Sequence, residues 1–242
     1  MAYIRTIPPA EAGGELAKLY RRVGNPDGSV DNVMTIHSLN VDTLRTHFEM
    51  YTRAMHKESP LSRAEREMVA VVVSQLNGCE YCLHHHHAGL LRLLPLDRHH
   101  VADQLREGEE HVALTPRERA LIEWAAQLTV APESMTAEAV EALRAEGLDD
   151  RAVLDLAQCV GYFNYVNRIV LGLGVVLGEG EGEAGQWPDE AGDEATAAGV
   201  AAGVAAGVAQ RPARGKPVEH VREYTAEELD ADDDDDEDDG AL

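Results

Sequence analysis

Two cysteines three residues apart stand shortly before a run of four histidines. Cys79 and Cys82 form a C-x-x-C pair, and the histidines occupy positions 84–87. Because the chain has only three cysteines in 242 residues, the pair does not resemble the disulfide framework of a secreted protein. The spacing instead indicates a metal site or a redox-active pair in a reducing compartment. The helices that carry these residues decide between the two.

A helix over residues 79–94 would place both cysteines and one histidine on the same face. At about 100° per residue, Cys82 falls roughly 60° from Cys79, and His86 returns to within about 20° of Cys79. Of the other histidines, His85 lies at the margin of this face. The remaining two, His84 and His87, are expected to point elsewhere, into solvent.

Both cysteines fall in the first turn of this helix. There the unpaired backbone N–H groups and the helix dipole favour a thiolate. A nearby histidine can accept the thiol proton, which leaves an activated sulfur with a second thiol one turn away. These are the minimal components of reversible thiol oxidation. Zinc is an alternative, but Cys79, Cys82 and His86 supply three ligands where a structural site needs four.

A carboxylate lies on the apolar face of the preceding helix. Ser62 and Glu65 form a capping-box signature that predicts a helix over residues 62–76. Glu67 lies on the apolar stripe of that helix, where a carboxylate needs a partner. His86, across the helix interface, is the expected partner, and the two would form a Glu–His–Cys proton relay.

Helix start signals recur along the first 178 residues, and strand signals are weak throughout. Pro at the first helical position after Thr115 is one of the strongest of these signals. We therefore predict an all-α domain. Its helices are expected over 15–23, 31–38, 42–55, 62–76 and 79–94, with further helices opened by Asp97, Thr115 and Thr136, and a last one from Arg151 to about Leu173.

The composition changes sharply at residue 179. Residues 1–178 carry 24 acidic and 17 basic residues, whereas residues 179–242 carry 20 acidic and 4 basic ones. The second segment is rich in Gly and Ala and ends in an aspartate run, so it cannot bury enough apolar surface to offset its ordering entropy. We predict one domain over 1–178 and a low-complexity, acidic, disordered tail over 179–242. Within the tail, 218–230 is either transiently helical or docked.

Several classes of protein are excluded by the same composition. The sequence contains no run of 18 apolar residues and no apolar segment near its N-terminus of the kind a signal peptide has. No basic cluster indicates nucleic acid, and an acidic surface repels phosphates. The chain is expected to be cytoplasmic, with neither a membrane nor a nucleic acid as its partner.

The order Glu67-x11-Cys79-x2-Cys82-x3-His86 closely resembles the alkylhydroperoxidase D-like (AhpD-like) branch of the carboxymuconolactone decarboxylase superfamily. Within that branch the chain is most similar to the peroxidase-related enzymes. The resemblance covers residues 1–178 and extends to segments outside the motif, at 3–20, 31–40 and 159–175. It implies an all-helical fold and a homo-oligomer. Decarboxylating members lack the cysteine pair, which argues against lactone decarboxylation.

The resemblance also implies a role for each residue of the pattern. Cys82 would be the peroxidatic sulfur and Cys79 the resolving one, while His86 and Glu67 would move the proton, His86 acting on Cys82 through a water. The substrate would be a hydroperoxide, an external dithiol would restore the pair, and neither a metal nor an organic cofactor is implied. Founding members carry a histidine immediately before the second cysteine, and this chain has Tyr81 there, so the relay is expected to be weaker or differently tuned.

An alternative from another class uses the same thiols without catalysis. In it, the pair senses redox state and gates a partner surface. Residues near the pattern have less defined expectations: His85 and Tyr81 would support the reacting groups, and Cys159 and Trp124 would lie in the core. On the last helix, Asn164, Tyr165 and Asn167 are expected either to approach the pocket or to pack between helices. Arg168 is expected either to form a buried ion pair or to anchor the substrate. His37 and His47 are expected to be ordinary helix residues.

Overall fold

Residues 2–25, 27–109 and 111–178 are described by a computed structural model, and within these ranges the chain forms nine α-helices and no β-strand. The predicted all-α fold is therefore confirmed. The predicted acidic tail, including segment 218–230, lies outside the described residues. The helices are α1 (Gly14–Val23), α2 (Asn32–Thr35), α3 (Val41–Met55), α4 (Arg63–Leu76), α5 (Glu80–Leu93), α6 (His99–Glu107), α7 (Pro116–Val130), α8 (Ala137–Ala145) and α9 (Asp150–Leu173).

Helix starts agree best with the sequence where a side chain caps the backbone. The Ser62 hydroxyl accepts from the Glu65 N–H at 3.1 Å, which is half of the predicted capping box. Thr115 begins α7 in the same way. Two predicted starts are shifted: α3 begins at Val41, one residue before the predicted range, with Asn40 as its cap, and α6 begins two residues after Asp97, following a 3-10 turn.

Helix α4 is the centre of the fold. It packs against α5, α6, α7 and α9, and all nine residues from Arg66 to Ser74 are buried. The valine-rich segment of α4 is thus enclosed by helices on all sides, which is why its apolar pattern is continuous rather than one-sided. Of its two buried charged residues, Arg66 donates to the backbone carbonyl of Lys57 at 3.0 Å, and Glu67 faces the candidate site.

The turn between α4 and α5 is set by Gly78. This residue has a φ of +65°, in the left-handed region that glycine tolerates best. Its N–H bonds the Gln75 carbonyl at 3.0 Å, and the Cys79 N–H bonds the Ser74 carbonyl at 2.9 Å. This pair of bonds is a Schellman motif, and it places Cys79 at the N-cap of α5 immediately after α4 ends.

The remaining helices enclose α4 and α5. The long helix α9 packs on α3, α4 and α7. The N-terminal segment lies against the C-terminal end of α9, where the Tyr3 N–H donates to the Leu173 carbonyl at 2.8 Å. In the part of the chain that the structure describes, no helix is both long and apolar enough to cross a membrane.

Candidate active site

Both cysteines of the C-x-x-C pair are buried, but only Cys82 lines the cavity described below. Cys79 is 0% exposed and Cys82 is 4% exposed, and both are free thiols. A hydrogen bond from the Cys82 thiol lowers the pKa of Cys79, and the same bond together with burial raises the pKa of Cys82. Cys79 is therefore the more acidic member of the reduced pair.

Glu67 and His86 are brought together across the α4–α5 interface. His86 Nδ1 lies 2.7 Å from Glu67 Oε2, and Arg63 Nη2 donates to Glu67 Oε1 at 3.1 Å. Burial by itself would raise the pKa of Glu67, but the charge and hydrogen bond of His86, with those of Arg63, bring it below its ordinary value. An ionised Glu67 accepts the proton on Nδ1 of His86, which leaves Nε2 of that ring free to act as a base.

The close approach of α4 to α5 at this point depends on a glycine. A Cβ added to Gly89 would lie 3.1 Å from Oε2 and 3.3 Å from Oε1 of Glu67. Such contacts are tighter than ordinary van der Waals separation, so the carboxylate would have to move. Gly89 therefore allows α5 to approach close enough for His86 to reach Glu67.

Replacing Gly89 by alanine is expected to slow thiol reactivity on the order of tenfold, because it displaces the carboxylate that orients His86 and because general-base assistance is worth about 10²–10⁴. The control is Gly161→Ala, a helical position in α9 where an added Cβ meets no atom within 4 Å. Rates of Cys82 alkylation, followed by mass spectrometry beside thermal unfolding curves, test this. Equal alkylation rates in the two variants would contradict it.

One cavity of about 330 Å³ holds the reacting groups. Cys82, His86 and Glu67 all line it. Helix α5 and the residues at and before α2 form two of its walls, and α3, α4 and α9 contribute the rest. The other lining residues are Asp31, Val33, Met34, Tyr51, His56, Arg63, Tyr81, His85, Gly89, Arg92, Leu93, Tyr162 and Val166.

Tyr81 and His85 lie together at one side of the cavity. Their ring centroids are 4.6 Å apart, and the Tyr81 hydroxyl accepts from the Val33 N–H at 3.2 Å. Tyr81 thus joins the cysteine turn to α2. Burial lowers the pKa of His85 to about 4, so His85 is uncharged near neutral pH and cannot substitute for a titrating histidine there.

The expectation that His84 and His87 point into solvent is wrong. Both side chains are buried, each 7% exposed. Helix α6 packs over that face of α5, and His87 Nε2 lies 2.8 Å from Asp103 Oδ1. The helical wheel correctly directed these residues away from the reactive face, but it carried no information about what covers the opposite face.

Asn167 is a functional candidate that the sequence left undecided. It is fully buried, accepts from Asn77 Nδ2 at 3.0 Å and donates to Ser74 Oγ at 3.2 Å. Hydrogen bonding by its amide lowers the pKa of both cysteines. An amide inside the otherwise apolar stretch of α9 was the available signal, because a buried amide must be satisfied by polar partners.

The other residues with open expectations lie away from the reacting groups. Tyr165 is partly exposed and does not line the cavity, and the Asn164 amide bonds the Thr129 hydroxyl at 3.1 Å, between α9 and α7. Arg168 meets neither expectation, since it is exposed and donates to the Asn164 carbonyl. Cys159 is a core residue as expected, and burial raises its pKa to about 12.

His37 and His47 form a stacked pair outside the cavity. Their ring centroids are 4.4 Å apart. His47 lies in α3, but His37 lies in the turn after α2 and so is not a helix residue. Burial lowers the pKa of His47 to about 3, which keeps it uncharged near neutral pH.

The described residues do not supply the ligands that a zinc site needs. Among those residues, no three or more His, Cys, Asp or Glu side chains are grouped so that they could hold a metal ion. The helical frame places Cys79, Cys82 and His86 along one face of α5 and directs His86 to Glu67 instead of a shared metal. The arrangement therefore favours the chemistry of thiols.

A family model described as the carboxymuconolactone decarboxylase family matches residues 42–127. This range includes α3, α4, α5 and α6 and most of α7, and it therefore contains both cysteines, His86 and Glu67. The match places the residues of the site inside the segment that characterises the family.

Solved structures extend this similarity over most of the described chain. An uncharacterized peroxidase-related protein from Silicibacter sp. TM1040 is 31% identical, with a TM-score of 0.67, and the match covers 75% of this chain and 94% of that one. A second, the alkylhydroperoxidase AhpD core of a peroxidase-related protein from Ralstonia eutropha JMP134, is 26% identical, with a TM-score of 0.67 and coverage of 76% and 98%. The debrominase Bmp8 shares the fold at 16% identity and a TM-score of 0.59, with coverage of 73% and 91%.

Proposed function

This chain belongs to the carboxymuconolactone decarboxylase family, in its AhpD-like branch, and from that membership we propose that it is a thiol-dependent peroxidase. The family includes enzymes of more than one chemistry, so the reaction must be inferred from the residues of the site. One observation carries the choice: the bonded pair Glu67 and His86, 2.7 Å apart, opens onto the same cavity as Cys82. A partly buried base that is held by a carboxylate and shares a cavity with a thiol is the arrangement that nucleophilic sulfur chemistry requires.

In the first step, the Cys82 thiolate attacks the distal oxygen of a hydroperoxide. His86 Nε2 takes the thiol proton, directly or through a water, and the positive charge that develops is stabilised by Glu67. The S–O bond forms as the O–O bond breaks. Cys82 becomes a sulfenic acid, the hydroperoxide is reduced by two electrons, and the leaving alkoxide takes a proton to depart as an alcohol.

Accessibility and acidity point to different cysteines for this attack. The pKa of Cys79 is lowered and that of Cys82 is raised by their mutual hydrogen bond. However, Cys82 lines the cavity and Cys79 does not. Because a thiolate reacts only where a peroxide can reach it, geometry takes priority, and we assign the attack to Cys82 after its proton has passed to His86.

In the second step, the Cys79 sulfur attacks the Cys82 sulfenic acid. An S–S bond forms, and the sulfenic oxygen leaves as water. The lowered pKa of Cys79 suits this role, since a larger thiolate fraction speeds attack on the sulfenic sulfur. An external dithiol then reduces the disulfide, supplying the two electrons that the hydroperoxide consumed.

Tyr81 changes how protons reach this site compared with the founding members of the family. A phenol does not titrate near neutral pH, and the Tyr81 hydroxyl is engaged with the Val33 backbone. His85 stays neutral because of its lowered pKa. We therefore propose that proton transfer in this protein relies on His86 and Glu67.

Titrating the reduced protein with a hydroperoxide is expected to convert Cys79 and Cys82 into one intramolecular disulfide at about one equivalent, faster than free cysteine is oxidised. Peptide mass spectrometry identifies the disulfide, and Cys159 serves as an internal control because its pKa of about 12 keeps it unreactive. If oxidation is no faster than that of free cysteine but changes the oligomeric state, the protein is instead a redox sensor. Oxidation of Cys159 ahead of the pair would also contradict the proposal.

A further inference from the structure

The cavity is much larger than the smallest hydroperoxide needs. Its volume is about 330 Å³, whereas one water occupies about 30 Å³ of liquid. Much of its wall is aromatic or aliphatic, from Tyr51, Tyr162, Leu93 and Val166 among others. A wall of this kind contributes binding free energy only to a substrate with an apolar body of its own.

Four charged side chains line the same cavity, and three of them have partners. Glu67 is bonded to His86 and Arg63, which themselves line the cavity. Asp31 accepts from Asn25 Nδ2 at 2.9 Å. Arg92 forms no hydrogen bond or ion pair with any described residue, so its guanidinium retains all five donors for a ligand.

The charge of Arg92 acts on the interior of the cavity. Burial raises the pKa of Tyr51 to about 12, and Arg92 is among the charges that oppose this rise. The same guanidinium helps to lower the pKa of His85 on another wall. Both effects are small beside that of burial, and they indicate that the guanidinium charge lies within electrostatic reach of Tyr51 and His85.

Arg92 also stands in line with the reacting sulfur. Positions 82, 85, 86, 89 and 92 of α5 all line the cavity, which is the stripe expected of one helix face. Arg92 follows Cys82 by ten positions, which corresponds to a rise of about 15 Å along the helix axis. Because Cα–Cβ bonds in a helix tilt toward its N-terminus, a side chain at position 92 can extend back along this face toward Cys82.

We propose that Arg92 binds the carboxylate of an organic hydroperoxide whose peroxide group lies at the far end of the molecule, at Cys82. This inference deepens the peroxidase function and rests on it. The apolar walls hold the body of the substrate, and its length is set by the separation of Arg92 from Cys82. The carboxylate of Asp31, which also lines the cavity, repels the anion and thereby limits how tightly it binds.

A matched pair of substrates tests whether Arg92 binds the substrate carboxylate and so acts as its anchor. Cumene hydroperoxide bearing a para-carboxylate and the methyl ester of the same compound differ only in the anionic group. We expect kcat/KM to favour the acid on the order of tenfold, as one charge-assisted bond at a partly exposed site provides, and this preference should shrink at high salt. In Arg92→Gln the ratio should fall to about one, and in Asp31→Asn it should rise.

Arg53→Gln is the control for these variants. Arg53, like Arg92, is an exposed arginine in the last turn of its helix, but it does not line the cavity. Both substitutions therefore remove the same favourable interaction with a helix C-terminus. The acid-to-ester ratio should stay at the wild-type value in Arg53→Gln, and a fall in both variants would overturn the specific role of Arg92.

Failure of the anchor and failure of the peroxidase function give different results. Equal turnover of acid and ester by the wild type would overturn the anchor and leave the peroxidase function intact. If neither compound is consumed, calorimetry with the unreactive 4-isopropylbenzoate and its methyl ester on Cys82→Ser protein tests the anchor by itself. Benzoate binding that is lost in Cys82→Ser/Arg92→Gln supports it, and equal binding of the two compounds overturns it.

Discussion

Replacing Cys82 by serine is expected to reduce hydroperoxide consumption to the uncatalysed background. A serine hydroxyl is not ionised near neutral pH and its oxygen cannot be oxidised as sulfur can, so neither the attack nor the sulfenic acid is available. The measurement is continuous peroxide consumption with an excess of an external dithiol. Turnover at the wild-type rate in this variant would refute the proposed function.

Replacing Cys79 by serine is expected to separate the two steps. The sulfenic acid should still form on Cys82, because that sulfur is the one that lines the cavity, but intramolecular resolution is lost. A single turnover should therefore leave Cys82 trapped as a sulfenic acid, detectable with a dimedone label and mass spectrometry. The reverse pattern, with the label on Cys79 in Cys82→Ser protein, would assign the attack to the more acidic thiol instead.

Cys159→Ala is the control for both cysteine variants. Cys159 is fully buried, contacts Met55 and the Arg66 carbonyl, and does not line the cavity. Its replacement removes a sulfur from the core and is expected to lower stability slightly without changing peroxide kinetics. Loss of turnover in this variant would show that the assay reports folding rather than thiol chemistry.

Replacing Glu67 by glutamine is expected to lower kcat/KM by about 10²–10⁴. The carboxylate holds the proton of His86 on Nδ1, and a glutamine amide can instead donate to that nitrogen. The proton would then reside on Nε2, the nitrogen that otherwise takes the thiol proton, and Nε2 could no longer accept from Cys82. Rates measured from pH 5 to 9 should stay low across the range, since raising the pH does not restore the tautomer.

The same substitution is expected to change the acid stability of the fold. The pKa of Glu67 lies below its ordinary value of 4.5 in the folded chain, so the carboxylate stabilises the fold above that pH. This stabilisation is lost as the pH falls through the folded value. In denaturant unfolding, the wild type should therefore lose its advantage over Glu67→Gln progressively as the pH falls below about 5. A constant difference would contradict the lowered pKa.

Glu118→Gln is the matched control for Glu67. Glu118 is also buried, is paired with Arg98 at 2.8 Å, and caps α7 away from the cavity. Its replacement should cost stability of the same order, about 1–3 kcal/mol for a lost charged hydrogen-bond partner, with unchanged peroxide kinetics. An equal loss of activity in both variants would mean that Glu67 acts through stability alone.

The sequence was sufficient wherever a feature depends on neighbours along the chain. Capping residues at Ser62 and Thr115 begin helices because their side chains satisfy backbone groups three residues on. The helix period likewise placed Cys82 and His86 on one face of α5. The apolar neighbours of Glu67 indicated that it needed a partner, and His86 on the adjacent helix was the partner expected. The structure places His86 Nδ1 2.7 Å from the carboxylate of Glu67.

Features that depend on contacts between distant segments were decided by the tertiary structure. His84 and His87 are both buried, and the ring of His87 meets Asp103 of α6. No local pattern tells which face of a helix a later helix will cover. Nothing in the sequence marked Arg92. It became a candidate anchor because one face of α5, which includes Arg92, lines a cavity together with residues of α3, α4 and α9.

The chain alone therefore determined the helices, the reactive pattern and the family it resembles, because these follow from periodicity, capping and residue spacing. Only the folded structure decided which sulfur lines the cavity, which of the two thiols is the more acidic and which other residues line the wall. Burial and distance between segments set those properties. Both depend on how helices pack, which side-chain order within one helix does not specify.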